Sequence, residues 1–412
     1  MANDFKNTSL VAKYAVKEFL NAMVMGSKVD RQLDESKIFS GAKVSASASI
    51  RRPVMFEATA SATYSAEDIQ EAIVPVTINN RQHVGFDITD EDLALKIEDA
   101  NTRYIKPAME ELAQVVESAI AATYTEIPNF VGTPGTTPST FLDIGNAKAE
   151  LSKLGVPMGD RCAFWDSGSA LNLANGLKGV FVQGMAKTAI EEASLGRYAS
   201  FDNFESNSLK SHTVGVATGT PLVNGATQNV TYATAKDTDT QTLITDGWTN
   251  DTTNILLAGD VITIAGVNSV NRRTREDTGD LQTFTVTADA TSGATTGPAT
   301  ITIAPPIITS GPYQTVTAAP ADDAVITVKT GTGGASYRQN MAFHKNAITM
   351  AFVPLDVADP GAGVIQHREN FKGISLTATR WFTGTSMTMS YRFDILFDVI
   401  VQNRSFAVRV TK

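Results

Sequence analysis

An α+β body interrupted by an inserted all-β domain is the fold that this 412-residue sequence predicts. Three observations predict it. The stretch from Thr89 to Tyr124 repeats apolar residues every three or four positions, the period of a helix. Residues 44–51 and 72–78 alternate with period two, the pattern of a half-buried strand. Near Val214 the composition shifts: no lysine falls between Lys236 and Lys329, no histidine between His212 and His344, and Thr, Ala, Gly and Asp dominate. A chain of this length exceeds one ordinary domain, so two or three folding units are expected.

The first 40 residues read as an arm. Asn7 or Thr8 caps a helix over 8–25, Val11, Ala15, Phe19 and Ala22 share a face, and Gly26 ends it. The polar stretch to Ser40 has few anchors of its own. Residues 41–88 read as an extended hairpin. Val44, Ala46, Ala48 and Ile50 alternate with Ser45, Ser47, Ser49 and Arg51, and Ala72 to Ile78 forms the second arm after a small-residue tip. Arms of about 15 residues reach on the order of 50 Å. So long a two-stranded ribbon is unstable alone in water and is expected to lie on a neighbouring subunit.

A spine helix is expected over 89–124, capped at Thr89, with Asp90, Glu91 and Asp92 in its first turn. Leu93, Ile97, Ala100, Tyr104, Ala108, Leu112, Val115 and Ala119 form its apolar stripe. Lys96, Glu98, Asp99, Arg103, Glu110 and Glu117 read as a solvated face, and Pro107 should kink or split the helix. The α+β body continues to residue 216. It holds a helix over Asn146 to Leu154 stopped by Gly155, a buried strand at Cys162 to Trp165, and helical segments to Ala193.

The insert spans 217–332. Alternating runs at Gln241–Thr245, Asp260–Ala265, Gln282–Thr287, Thr300–Ala304 and Ala324–Lys329 suggest a five- or six-stranded barrel. Over 215–332 eleven acids face five bases, so most of the chain's net charge of −9 sits here. The body resumes over 333–412 with strands at Ala347–Val353, Gly373–Trp381 and Thr385–Leu396, and a last run ending in Val410.

The acidic balance argues against a dedicated nucleic-acid binder, which needs basic patches to neutralise phosphates. One cysteine, Cys162, forbids an internal disulfide and fits a reducing compartment. Neither a secretory leader nor an apolar run of membrane-spanning length is expected.

No catalytic, cofactor or metal constellation stands out. Lys187-Thr188 lacks the glycine of a phosphate loop, and Asp166-Ser167-Gly168-Ser169-Ala170 lacks the nucleophile-elbow frame. His83, His212, His344 and His367 never fall at i, i+4, and Asp237-Thr238-Asp239 reads as exposed loop acids without the rest of a calcium loop. Arg272, Arg273 and Arg275 read first as a loop paired locally with Glu276, Asp277 and Asp280, with an anion site as the alternative. Gly331-Thr332-Gly333-Gly334 reads as a hinge or linker.

The order arm, hairpin, spine helix, α+β body, β insert and return resembles the shell fold of tailed-phage capsid proteins, the Hong Kong ninety-seven fold. Thr102 to Ala113, Leu151 to Pro157 with Arg161, Gly196 to Asn207 and Asn340 to Ala347 are similar to segments of that family, with Ser200 where a glycine is usual. Ala258 to Val267 resembles the inserted barrel of coat proteins of the P-twenty-two type.

The resemblance implies a major capsid protein without enzymatic activity or cofactor. Its copies would form pentamers and hexamers of an icosahedral shell, with a scaffolding protein, a portal protein and weakly, non-specifically contacted double-stranded DNA as partners, and no membrane. Assembly would occur in the host cytoplasm and the product would be the virion. Arg51, Arg52, Glu57, Glu67 and Asp68 near the hairpin tip are the candidate subunit-interface residues. The rival readings are a tail or decoration component, or an enzyme or carbohydrate-binding module with the Thr-rich insert as its binding face, although the insert's only tryptophan is Trp248.

Overall fold

The computed structural model describes residues 8–31, 47–52, 54–58, 62–64, 66, 68–89, 101–177, 195–355 and 364–412. The chain divides into two units, one of 1–49, 75–120 and 348–400, the other of 50–74, 121–347 and 401–412.

The first unit is built on a five-stranded sheet. Val364–Phe371, Ile374–Thr383 and Thr388–Val401 form an antiparallel meander. Lys372 and Gly373 join its first two strands with φ of 51° and 78°, a two-residue turn whose twist matches the strands it connects. Ile348–Phe352 and Asn80–Thr89 both pair with Thr388–Val401.

Helix α1 (Thr8–Ala22) lies on Val364–Phe371 and Ile374–Thr383, burying Val11, Ala12, Ala15, Val16 and Phe19. The Phe19 ring meets Phe352 edge-on at 6.1 Å. Beyond α1, the backbone of Asp30 accepts from Met350 at 2.9 Å and donates to Ile348 at 3.0 Å. The apolar face of α1 and the backbone of Asp30 are thus taken up by a sheet of their own chain. The rest of the expected arm, 1–7 and 32–40, lies outside the described residues.

The hairpin is shorter than the 41–88 expected. Ser47–Arg51 pairs with Ile73–Thr77. Asn80–Thr89 instead runs antiparallel to Thr388–Val401, from Asn80 opposite Phe397 to Thr89 opposite Thr388. Its alternation, with Gln82, Val84, Phe86 and Ile88 turned inward, serves that sheet. Thr89 ends this strand, and the expected first turns of the spine helix, 90–100, lie outside the described residues.

The helix enters through a π turn at Asn101–Ile105 and continues as α2 (Lys106–Ala122). Pro107 sits in the first turn of α2, where its missing N–H is tolerated, so the expected break falls at the junction of the two forms. The wider π turn shifts the apolar face by about one residue. Ile105, Met109, Val116 and Ile120 are buried along with Ala108 and Leu112, while Tyr104, Val115 and Ala119 of the expected stripe are half-exposed. Glu117 is accordingly not on a solvated face: it is 4% exposed. Its carboxylate accepts from the Met25 and Gly26 amides at 2.9 and 2.8 Å, closing the turn after α1.

The second unit holds two sheets. In the body, Ser336–His344 is flanked antiparallel by Ala407–Thr411 and Arg161–Trp165, and Phe201–Glu205 joins parallel to the latter. Helices α3 (Phe141–Lys153) and α4 (Ser167–Leu177) cover it, packing Ile144, Leu151 and Leu173 onto Trp165, Phe201 and Val408. Helix α3 begins five residues before the expected Asn146, because the Asp143 carboxylate accepts from the Ser139 and Thr140 amides at 2.9 and 2.8 Å. It stops where expected. Gly155, at φ 76°, donates to Ser152 while Val156 donates to Leu151, a Schellman cap. The helical continuation expected to Ala193 lies outside the described residues beyond Leu177.

The insert is a six-stranded antiparallel sheet. In order across the sheet its strands are Ile326–Val328, Val261–Val270, Asp277–Val286, Ala299–Ala304, Gln241–Trp248 and Gly219–Val223. The edges meet through a bridge between Leu222 and Val325 and a Val223 to Ala324 amide bond of 3.0 Å. Inside lie Leu243, Trp248, Ile262, Ile264, Phe284, Ile301 and Ile303. The strand not foreseen is Gly219–Val223, whose Gly and Pro hide its alternation.

The two linkers to the insert run together: Val214 donates to Ala335 and Gly334 to Val214, each at 3.0 Å. A Cβ on Gly333 would stand 2.2 Å from the Val216 carbonyl oxygen. The Gly331–Gly334 stretch is a fastened crossing and not a free hinge.

Candidate functional site: the hairpin tip and the anchors of the insert

The hairpin tip (residues 50–74) belongs to the second unit and is held there by polar contacts with the insert. The Tyr313 hydroxyl accepts from the Met55 amide at 3.0 Å and donates to the Gln70 carbonyl at 3.3 Å, gripping both arms at once. The Tyr313 ring stacks on Tyr232 with centroids 3.4 Å apart. Arg275 donates to the Phe56 carbonyl at 3.1 Å and lies 3.5 Å from the Glu57 carboxylate. Asp237 accepts from the Ile73 amide at 3.2 Å, and Asp239 stands 3.8 Å from Arg52.

The arginine loop of the insert thus pairs outside itself. Its charges reach Glu57 and, from Asp280, Lys153 of α3. Among the described residues no ion pair joins these arginines to Glu276 or Asp277, and Arg275 pairs with Glu57 instead. Asp237 and Asp239 are likewise not idle loop acids.

The five residues singled out on the hairpin separate into different roles. Arg51 is exposed and crosses the ribbon to Glu71 at 3.1 Å. Arg52 is half-buried and donates to the Lys236 carbonyl at 3.1 Å. Glu57 faces Arg275, Asp68 is exposed, and Glu67 lies outside the described residues. Composition-based reading missed the apolar side chains that the tip turns to solvent: Phe56 at 61%, Tyr64 at 90% and Ile69 at 61% exposure. A charge-centred search passes over them. Large apolar groups exposed together on a thin ribbon were the available signal.

A buried polar cluster fastens the insert. Asp260, wholly buried, accepts from the Leu257 and Gly215 amides at 2.7 and 3.0 Å, from the Thr330 hydroxyl at 2.8 Å and from His212 Nε2 at 2.9 Å. Burial pushes its carboxyl up, but these donors outweigh burial and hold it below the usual aspartate range. With Nε2 donating, His212 Nδ1 is left to accept from the Tyr124 hydroxyl, 3.3 Å away at the end of the spine helix. Arg409, from the last strand, donates to the Gly259 carbonyl at 2.8 Å and lies over the Tyr124 ring at 5.7 Å. Burial pushes its guanidinium down to about 10. Helix end, insert and C-terminal strand meet at these four side chains.

A family model described as the P22 coat protein, gene protein 5, matches residues 1–408. The chain belongs to the P22 coat protein family. The major capsid protein of Acyrthosiphon pisum secondary endosymbiont phage 1 is 24% identical over 421 residues, 96% of each chain. Among solved structures, Mycobacterium phage Che8 is similar over 94% of this chain and 90% of its own, at TM-score 0.47 and 15% identity. The CUS-3 coat protein I-domain aligns with 27% of this chain and 97% of its own, at 30% identity and TM-score 0.19.

Membership in the coat protein family makes the chain a phage major capsid protein. A coat protein acts by contact with its own kind, so its working parts are surfaces and the anchors that present them. Among the described residues no helix is long and apolar enough to cross a membrane, and no three His, Cys, Asp or Glu side chains converge as metal ligands.

Proposed function

We propose that the chain closes, with many copies of itself, into the icosahedral shell of a tailed phage, through pentamers and hexamers on the Hong Kong ninety-seven plan. A scaffolding protein, a portal and packaged double-stranded DNA are the further partners of this reading, and the role is structural without catalysis. Assembly takes place in the host cytoplasm. The acidic chain, at −9, suits a container that releases its DNA.

The observation that supports the reading best is the two-faced hairpin tip. One face is fixed by polar bonds to the insert, while Phe56, Tyr64 and Ile69 face water. Each such side chain gains about 1.5–3 kcal/mol when fully buried. Ordering costs absorb much of that gain in a single contact, and a shell repeats the contact many times. Weak repeated contacts permit correction of misplaced subunits. Arg51 and Asp68, exposed on the same tip, supply the polar rim of the interface, with Glu67 beside them in the sequence.

The test is assembly of a Tyr64→Asp, Ile69→Asp double variant with scaffolding protein, followed by sedimentation. Soluble, folded subunits with shell yield reduced at least tenfold are expected. Unchanged shell yield removes the tip from the interface.

A further inference from the structure

The tip, the insert and the C-terminal return line a partly open cavity of about 90 Å³ within the second unit. At roughly 30 Å³ per water, it has room for about three waters or one tetrahedral oxyanion. Its charged lining is three guanidiniums, Arg52, Arg272 and Arg404, against one carboxylate, Asp239.

Asp239 is already shared, 3.4 Å from Arg404 and 3.8 Å from Arg52. Arg404 also engages the Glu126 carboxylate at 3.2 Å, and Arg52 the Lys236 carbonyl. Arg272 makes no hydrogen bond or close ion pair among the described residues, its Nε is sealed from solvent, and the only charge acting on it is the Asp239 carboxylate that Arg52 and Arg404 already share. Across the same lining Gln282, 2% exposed, donates its amide to the Thr283 carbonyl and leaves its Oε1 without a donor.

A cation without a hydrogen-bonding anion of its own and an acceptor without a donor, on one small cavity, define the chemistry that completes it. Buried polar groups without partners are destabilising, more so when charged. The completing group carries negative oxygens for Arg272 and one O–H for Gln282. We propose that this cavity binds a protonated inorganic phosphate. Sulfate offers no O–H at neutral pH, and a phosphodiester has none either, so neither sulfate nor a DNA backbone meets both demands. Bound phosphate ties the hairpin tip through Arg52, the insert through Arg272 and the C-terminal return through Arg404, stiffening the tip before assembly.

The experiment is isothermal titration of the full-length, unassembled protein with phosphate and, separately, sulfate, at constant ionic strength. Saturable one-to-one phosphate binding at least tenfold tighter than sulfate is expected. Arg272→Gln should weaken phosphate binding at least tenfold. Asp239→Asn should strengthen it by removing the competing carboxylate, and Gln282→Leu should abolish the preference over sulfate. General loss of fold cannot produce opposite shifts from neighbouring substitutions. Equal binding of the two anions by the unaltered protein, or a shift in the same direction from Arg272→Gln and Asp239→Asn, overturns the site.

Discussion

Asp260 carries four hydrogen bonds at the point where the insert meets the body, and no other carboxylate described in the chain is so completely enclosed by donors. Asp260→Asn presents an NH₂ to groups that are themselves donors. It should cost about 2–4 kcal/mol in urea unfolding, the range for breaking a buried charged network. Because its folded pKa lies below the unfolded one, its contribution is full above the ordinary aspartate value of about 3.9. That contribution is lost as pH falls through the lowered folded value.

Glu117 behaves in the opposite sense. Burial raises its carboxyl despite the bonds from Gly26 and Met25. Its folded form holds a proton that the unfolded chain releases near the ordinary glutamate value of about 4.3, so stability declines as pH rises through the raised value. Glu117→Gln should flatten that decline in unfolding curves taken from pH 4 to 7. The sequence offered no sign of this role. Helical periodicity assigns a face, but it takes the turn at Met25 to reveal why a carboxylate belongs on the buried one.

At the scale of elements, the spine helix tests the shifted register directly. Ile120→Ala should cost about 2–4 kcal/mol, and Val115→Ala less than about 1 kcal/mol, in the same unfolding measurement. An uninterrupted α-helix phased from Leu93 gives the reverse order. The strand at Gln241–Thr245 was legible as an alternating run because its faces are cleanly inside or outside, as at Leu243 and Thr242. The helix phase was not legible, because a π turn leaves no mark in residue type. The reach of the hairpin was overestimated for a related reason: alternation shows that a segment is a strand, not which strand it joins. For the tip, Tyr313→Phe removes the one hydroxyl that binds both arms. Hydrogen exchange at the Met55 amide should quicken about tenfold while exchange in the insert core stays unchanged.

For the whole molecule, the order of its parts was written more plainly than any contact. Composition shifts near Val214, where the backbone hydrogen-bonds to Gly334 and Ala335. The proposed interface surface was only partly visible in residue type. Arg52 and Glu57 turned out to anchor the tip on its own insert, and the exposed apolar residues were overlooked. Charge is easy to notice in a sequence, whereas exposure exists only in three dimensions.

Electron cryo-microscopy of the protein assembled with its scaffold addresses self-association most directly. Closed icosahedral shells should appear, with Phe56, Tyr64 and Ile69 of each copy covered by a neighbouring subunit. Particles that remain single subunits, or shells in which those three side chains still face solvent, would contradict it.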